Sequence, residues 1–224
     1  MYGTPQYREK SRTFNDWLAA YQHHRPSWTD WYPSDDLLDG YTGGPLVVDI
    51  GGNVGDDLEL FNKKHPGHAS QLVLQDLPDK IADAKCSAEI LRIAHDFFTP
   101  QPKSSRSARV YYLHSIIHDY SDGDAERILQ HIKDAMVPGY SKLLINDVII
   151  PLREASRRDT SVDVHMMAKL GGKERTNDML LDLVEGLGLR VRKIWKSDCW
   201  ETSILEAELP LSSQQGYVEP SLVQ

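Results

Sequence analysis

Residues 46–64, LVVDIGGNVGDDLELFNKK, decide the reading of the fold. LVVDI (46–50) is a short β-branched run suited to a strand buried on both faces. Gly51, Gly52 and Gly55 then turn the chain tightly and let a ligand approach the backbone. A helix is expected from about Val54 to Lys64. It is acidic at its start (Asp56, Asp57, Glu59) and basic at its end (Lys63, Lys64), as the helix dipole favours. The free N–H groups of that helix would point at whatever lies over the turn. The same turn also serves as a plain strand-to-helix connection.

Outward from this unit the pattern repeats. LVLQ (72–75) reads as a second strand that ends at Asp76, with Pro78 opening a short helix. ILRIAHDF (90–97) and RVYYLHSII (109–117) read as the third and fourth strands. Ser121 caps a helix whose apolar stripe is Ala125, Ile128, Leu129, Ile132 and Met136, stopped by Pro138-Gly139. KLLINDVII (142–150) is the fifth strand, followed by a short Met-rich helix near 160–170. Thr176 caps another helix with Met179, Leu180, Leu183, Val184 and Leu187 inward, ended by Gly188. LRVRKIW (189–195) and TSILEAEL (202–209) close the series. Strand–helix alternation predicts an α/β fold with a mostly parallel sheet covered on both faces. Ligands of such sheets lie beyond the carboxyl ends of the strands.

Three segments follow from this reading: a helical, aromatic lead-in (1–43), the folded domain (44–210) and a flexible tail (211–224). In the lead-in, Phe14, Trp17, Leu18 and Tyr21 have helical spacing within Arg8–Tyr21, and Trp28 and Trp31 follow. It is read as packing on the domain or on a partner, either a second copy or another protein.

Composition narrows the function. The 224 residues carry a formal charge of −8, which argues against a nucleic-acid partner, since phosphate binding wants a basic face. No apolar run approaches the ~20 residues of a membrane span. The first residues hold no apolar signal region, so a cytoplasmic location is expected. Cys86 and Cys199 lack metal-type spacing, and His23, His24, His65, His68, His131 and His165 lack matching partners, so no metal is expected.

The strand ends carry the chemistry. Asp76 falls 27 residues after Asp49, and a carboxylate there can accept hydrogen bonds from a ribose diol, or cap the next turn. His95-Asp96-Phe97-Phe98 places an acid beside an aromatic, a pairing that suits an adenine base and equally suits plain core packing.

The blocks VVDIGGNVG, LVLQDLP, HDFFTPQP, YYLHSIIHDYSD, ILQHIKDAMVPGYSKLLINDVIIP, VDVHMMAKLGGKERT and LGLRVRKIW occur in that order. Together they resemble the caffeate-type O-methyltransferases of plants and fungi, particularly the fungal secondary-metabolism branch, over about residues 10–209. The resemblance implies a Rossmann-like fold of seven strands with the last antiparallel, S-adenosyl-L-methionine as donor and a small-molecule hydroxyl, phenolic or polyketide-type, as acceptor. By position it puts Asp49, Gly51, Gly52, Asn53 and Gly55 at the methionine end of the donor. Asp76 would sit at the ribose, Leu77 at sugar and base, Asp96 and Phe97 at the adenine, and His114 near the donor. His118 matches the general base, Asp147 and Glu174 the acids that flank it, and Met166 and Met167 a methionine pair near the acceptor.

Residue by residue, other readings stay open. His118 also suits a helix entry beside the Ser121 cap, Glu174 also suits an arginine partner, and the two methionines also suit core gaps. Asn53 stands where the family has glycine, and asparagine tolerates positive φ best among side-chain-bearing residues. His114 stands where the family has lysine or arginine. Most of the family's N-terminal dimerisation domain is expected to be missing. Two alternatives therefore remain beside methyl transfer: a donor-binding cyclase or pericyclase, and a non-catalytic auxiliary subunit.

Overall fold

A computed structural model describes residues 26–198 and 200–211. The expected helix Arg8–Tyr21 with Trp17, together with His23, His24, Cys199 and the tail beyond Leu211, lies outside the described residues.

The strand expected at the head of the fold forms β1 (Val47–Ile50). Six more follow in sequence: β2 (Leu72–Asp76), β3 (Leu91–Ala94), β4 (Val110–His114), β5 (Lys142–Val148), β6 (Arg190–Lys196) and β7 (Thr202–Glu208). They form one sheet in the order β3-β2-β1-β4-β5-β7-β6. β1 pairs in parallel with β2 and β4, β2 with β3, and β4 with β5. β7 runs antiparallel to both β5 and β6. The expected mostly parallel seven-stranded sheet with an antiparallel last strand is therefore present.

Among the described residues six helices accompany it: α1 (Trp28–Trp31), α2 (Asp56–Lys64), α3 (Pro78–Ala82), α4 (Asp122–Lys133), α5 (Arg157–Leu170) and α6 (Asn177–Gly186). The sheet faces separate by period 2, as pleating requires. Val48, Ile50, Tyr111 and Leu113 pack with Ile128, Leu129 and Ile132 of α4 and Leu180 and Val184 of α6. Val47, Leu74, Val110 and Tyr112 pack on the other face with Leu58 and Phe61 of α2. Among the described residues, no helix is long and apolar enough to cross a membrane.

Several boundaries differ from the sequence reading. α2 starts at Asp56 because Gly55, at φ 91°, occupies its N-cap in the left-handed region. β4 stops at His114, since Ser115 takes φ 54° and Ile117–Asp119 form a 3-10 turn. β3 covers only four of the expected positions. α5 begins at Arg157, where Ser156 and Asp159 form a capping box. Met136 lies past the end of α4 yet is buried.

The expected lead-in does not end where packing begins. Trp28 is 2% exposed, stacked between Phe61 (5.7 Å) and Tyr112 (4.7 Å). The Tyr32 hydroxyl donates to Glu206 Oε2 of β7, and Leu37 is fully buried. Of the two destinations expected for the lead-in, the domain or a partner, Trp28 takes the domain, where its indole packs between Phe61 of α2 and Tyr112 of β4. Trp28→Ala should therefore cost ~3–5 kcal/mol in urea-unfolding stability, whereas a change within about 0.5 kcal/mol, typical of surface sites, would show that this packing does not form.

Candidate functional site

Strand order reverses between β1 and β4, so the loops that leave these strands stand side by side with no crossover between them. At β1 the turn is built on space that only glycine leaves. A Cβ on Gly52 would lie 2.4 Å from Asp49 Oδ2 and 2.6 Å from a Leu74 methyl. Gly51, at φ 73°, faces Ile116 and Phe97, and a Cβ there would meet the Ile116 methyl at 2.5 Å. Asn53 adopts φ 53°, the conformation its side chain tolerates.

Asp76 ties the exits of β1 and β2 together. Its Oδ2 accepts from Asn53 N–H (2.8 Å) and its Oδ1 from Leu77 N–H (2.7 Å). A carboxylate offers about four acceptor positions, so capacity remains for a diol. Leu77 beside it is 50% exposed, an apolar surface suited to the face of a sugar or base. Asp96 accepts from Phe98 N–H (3.0 Å), while Phe97 packs edge-on to Tyr120 at 5.7 Å. Asp76 and Phe97 both reach the β1 turn, Asp76 through Asn53 N–H and Phe97 beside Gly51.

His114 pairs with the start of α2. Its Nδ1 lies 2.7 Å from Asp57 Oδ2 in the first turn of α2. Asp57 is also 3.5 Å from the Tyr112 hydroxyl, which accepts from Asn146 Nδ2 (2.8 Å). The imidazole thus belongs to a polar chain leading into the sheet, a partnership that His114 alone in the sequence did not reveal.

The second half of the site forms around His118 in the 3-10 turn after β4. Its Nδ1 lies 3.1 Å from Glu174 Oε1, and its Nε2 lies 3.3 Å from Asp119 Oδ1. Asp147, near the end of β5, and Glu174, in the loop before α6, are both buried. Among the described residues, Asp147 Oδ1 and Glu174 Oε2 are buried and have no hydrogen-bond partner. Burial disfavours the charged imidazole. The Glu174 hydrogen bond and the charges of Asp147, Glu174 and Asp119 outweigh it and raise the His118 pKa from 6.5 to about 9. Burial in turn lifts the Asp147 and Asp119 carboxyls to about 6.

The expected trio His118, Asp147 and Glu174 is thus drawn from three elements into one cluster. Glu174 pairs with His118 and not with an arginine. The adjacent Arg175 instead bonds to Asp122 and to backbone carbonyls. The methionines separate: Met166 is half-buried and Met167 is 62% exposed, so neither fills the core. Asp119, Ile116 and Arg175 were not singled out in the sequence. Asp119 and Arg175 are the immediate neighbours of His118 and Glu174, and adjacency was the one signal available. Among the described residues no three His, Cys, Asp or Glu side chains are placed to hold a metal ion.

These carboxylates make His118 a testable unit. Its ring protons should titrate by NMR with a midpoint near pH 9. Asp147→Asn should move that midpoint down, since it removes a charge that favours the imidazolium. An unshifted midpoint near 6.5 in the unsubstituted protein would show that the acids do not act on the ring.

Comparison with known proteins agrees with this architecture. A family model described as an O-methyltransferase domain matches residues 36–190. The O-methyltransferase mfmE of Annulohypoxylon moriforme is 38% identical over 198 residues, covering 88% of this chain and 49% of that protein. A solved structure described as a pericyclic reaction enzyme aligns with TM-score 0.77 at 29% identity, over 83% of this chain and 49% of that one. OxaC in complex with SAH and oxaline aligns with TM-score 0.73 at 27% identity, over 82% and 48%. The chain spans about half the length of the curated relatives it matches. With the family match running from the buried 3-10 turn at Ser34–Leu37 through the last helix to the first residue of β6, the chain belongs to the O-methyltransferase domain family.

Proposed function

We propose that this chain binds S-adenosyl-L-methionine across the ends of β1, β2 and β3, and that it supports O-methylation of a small-molecule hydroxyl with His118 as general base. Asp49, Gly51, Gly52, Asn53 and Gly55 would hold the methionine end, Asp76 and Leu77 the ribose, and Asp96 and Phe97 the adenine. His114 would act near the donor through its Asp57 contact. The relatives support the donor: OxaC was solved with SAH, and mfmE is an O-methyltransferase.

When bound, the donor supplies an activated methyl group on a sulfonium. The chain's own residues then have two tasks, to align the acceptor and to take its proton. The observation that carries the second task is the His118–Glu174–Asp147 cluster. Proton transfer works best between groups of similar pKa. A His118 pKa raised to about 9 lies close to the ~10 of a phenol. An aliphatic alcohol is far less acidic, so the site suits a phenolic or enolic, polyketide-type hydroxyl. Met166 and the exposed Met167 are the proposed apolar contacts for such an acceptor.

One observation favours a second reading. At neutral pH a ring with this proton affinity is charged, and its Nε2 faces Asp119. A charged ring donates a proton or a hydrogen bond instead of removing one. That would suit a donor-binding enzyme that steers a cyclisation or rearrangement, and the structural neighbour described as a pericyclic reaction enzyme supports it. An auxiliary role through the aromatic segment rests on less, since Trp28 and Tyr32 are consumed in the core and Trp31 alone of the described tryptophans there is part-exposed.

Calorimetry with S-adenosylmethionine should show binding that Gly52→Ala abolishes, and no uptake by folded protein would remove the donor from the reading. With a phenolic acceptor, mass spectrometry should show a gain of one CH₂; turnover without mass gain would select the second reading. His118→Asn should lower kcat by about 10²–10⁴-fold while donor binding is kept. The free-enzyme base must be neutral to act, so kcat/KM should climb with pH and level off near 9.

A further inference from the structure

We propose that Arg175 is the positioning residue of the His118 site: its guanidinium grips the backbone on both sides of His118 and so sets the ring against Glu174. This deepens the reading of His118 as a base and rests on it only for the catalytic consequence.

Arg175 is 3% exposed. Burying a guanidinium costs several kcal/mol unless its N–H groups find acceptors, and nearly all of them do. Nη1 donates to Ile117 O (2.7 Å), Nη2 to Tyr120 O (3.0 Å), and Nε and Nη2 to Asp122 Oδ1 (3.1 and 2.8 Å). The two carbonyls belong to the residue before His118 and the second residue after it. A planar fork with fixed donor directions holds such a set in one geometry, which a lysine cannot do.

The residues before Arg175 close on the same turn. Gly172 approaches so tightly that a Cβ would sit 2.1 Å from His118 O. Lys173 N–H donates to His118 O (2.9 Å), and Lys173 Nζ donates to Asp122 Oδ2 (2.5 Å). Glu174 N–H donates to Asp163 Oδ1 of α5 (2.9 Å). Ile150 N–H donates to Arg175 O (3.1 Å), just past β5. One stretch of four residues thus joins the His118 turn, α5 and the strand that carries Asp147. The carboxylate that touches the ring and the guanidinium that fixes the ring's backbone are consecutive side chains.

Charge and position make opposite predictions for Arg175. The titratable groups that face His118 are Asp119 from its own turn, Asp147 from β5 and Glu174 from the 172–175 stretch. Asp163 and Lys173 lie one contact further out. Were Arg175 merely a nearby cation, removing it would make the imidazolium easier to form and raise the His118 midpoint. If it positions the turn, removing it loosens the Glu174 contact and the midpoint falls.

The test is NMR titration of His118, assigned by its loss in His118→Asn, in the chain and in Arg175→Met and Arg175→Lys. Calorimetry with S-adenosylmethionine on the same samples reads the donor side. The midpoint should fall by about one pH unit or more in Arg175→Met, given the usual size of a carboxylate's effect on a neighbour. It should fall by less in Arg175→Lys, with donor affinity within about twofold in both. Arg175→Lys keeps the charge and removes the fork, so it carries the test if Arg175→Met fails to fold. A midpoint that stays or rises in either folded variant overturns the proposal. Absence of donor binding in every sample, the unsubstituted chain included, would instead count against the methyl-transfer reading and leave the titration result standing.

Discussion

The reversal of strand order between β1 and β4 is the constraint on which the rest of the molecule depends. A right-handed crossover carries each parallel strand's helix to one side of the sheet. At the reversal the two departing loops therefore rise next to each other without a helix between them. Gly51 on one loop and Ile116 on the other come so close that no Cβ fits on the glycine. Phe97 reaches the same point from β3 and packs on Tyr120 beyond it. The glycine turn after β1 and the His118 turn after β4 are thus parts of one packed edge.

Electrostatics on the His118 side is a contest that burial loses. Removing an imidazolium from water favours its neutral form. Three carboxylates in contact or close by reverse the balance, and the rise from 6.5 to about 9 corresponds to a preference for the charged ring on the order of 3 kcal/mol. The acids act through the Glu174 hydrogen bond to the ring and through the nearby charges of Asp147, Glu174 and Asp119. Asp147 and Asp119 bear part of the cost, with carboxyls lifted to about 6. The ring's proton affinity is set by its neighbours, and Glu174 among them belongs to the 172–175 stretch that bonds to the backbone of the His118 turn.

Much of this was legible from local pattern. Apolar runs announced all seven strands, capping residues placed the starts of α4 and α6, and Gly51, Gly52, Asn53 and Gly55 marked a turn that needs positive φ or close approach. Asp76 stood out at the end of its strand, and both structural uses open to a carboxylate there are seen, at Asn53 N–H and Leu77 N–H. The less legible features are all long-range. Trp28 reads as packing on the domain or on a partner until Phe61 and Tyr112 are placed on its two faces. His114 reads as a lost positive charge until Asp57 is found beside it. The lead-in reads as packing on the domain or on a partner, and the domain is chosen for its described part only when Tyr32 meets Glu206 from the far end of the chain.

By itself the sequence determined the α/β alternation, the glycine turn and the residue types at each strand's end, because these follow from side-chain period and backbone sterics within a few neighbours. The tertiary structure alone decided that Glu174 turns to His118 while Arg175 turns to the carbonyls of Ile117 and Tyr120. It also decided that Asp147 keeps an unpaired oxygen beside them. Those outcomes depend on which groups lose water together, and burial is a property of the assembled molecule.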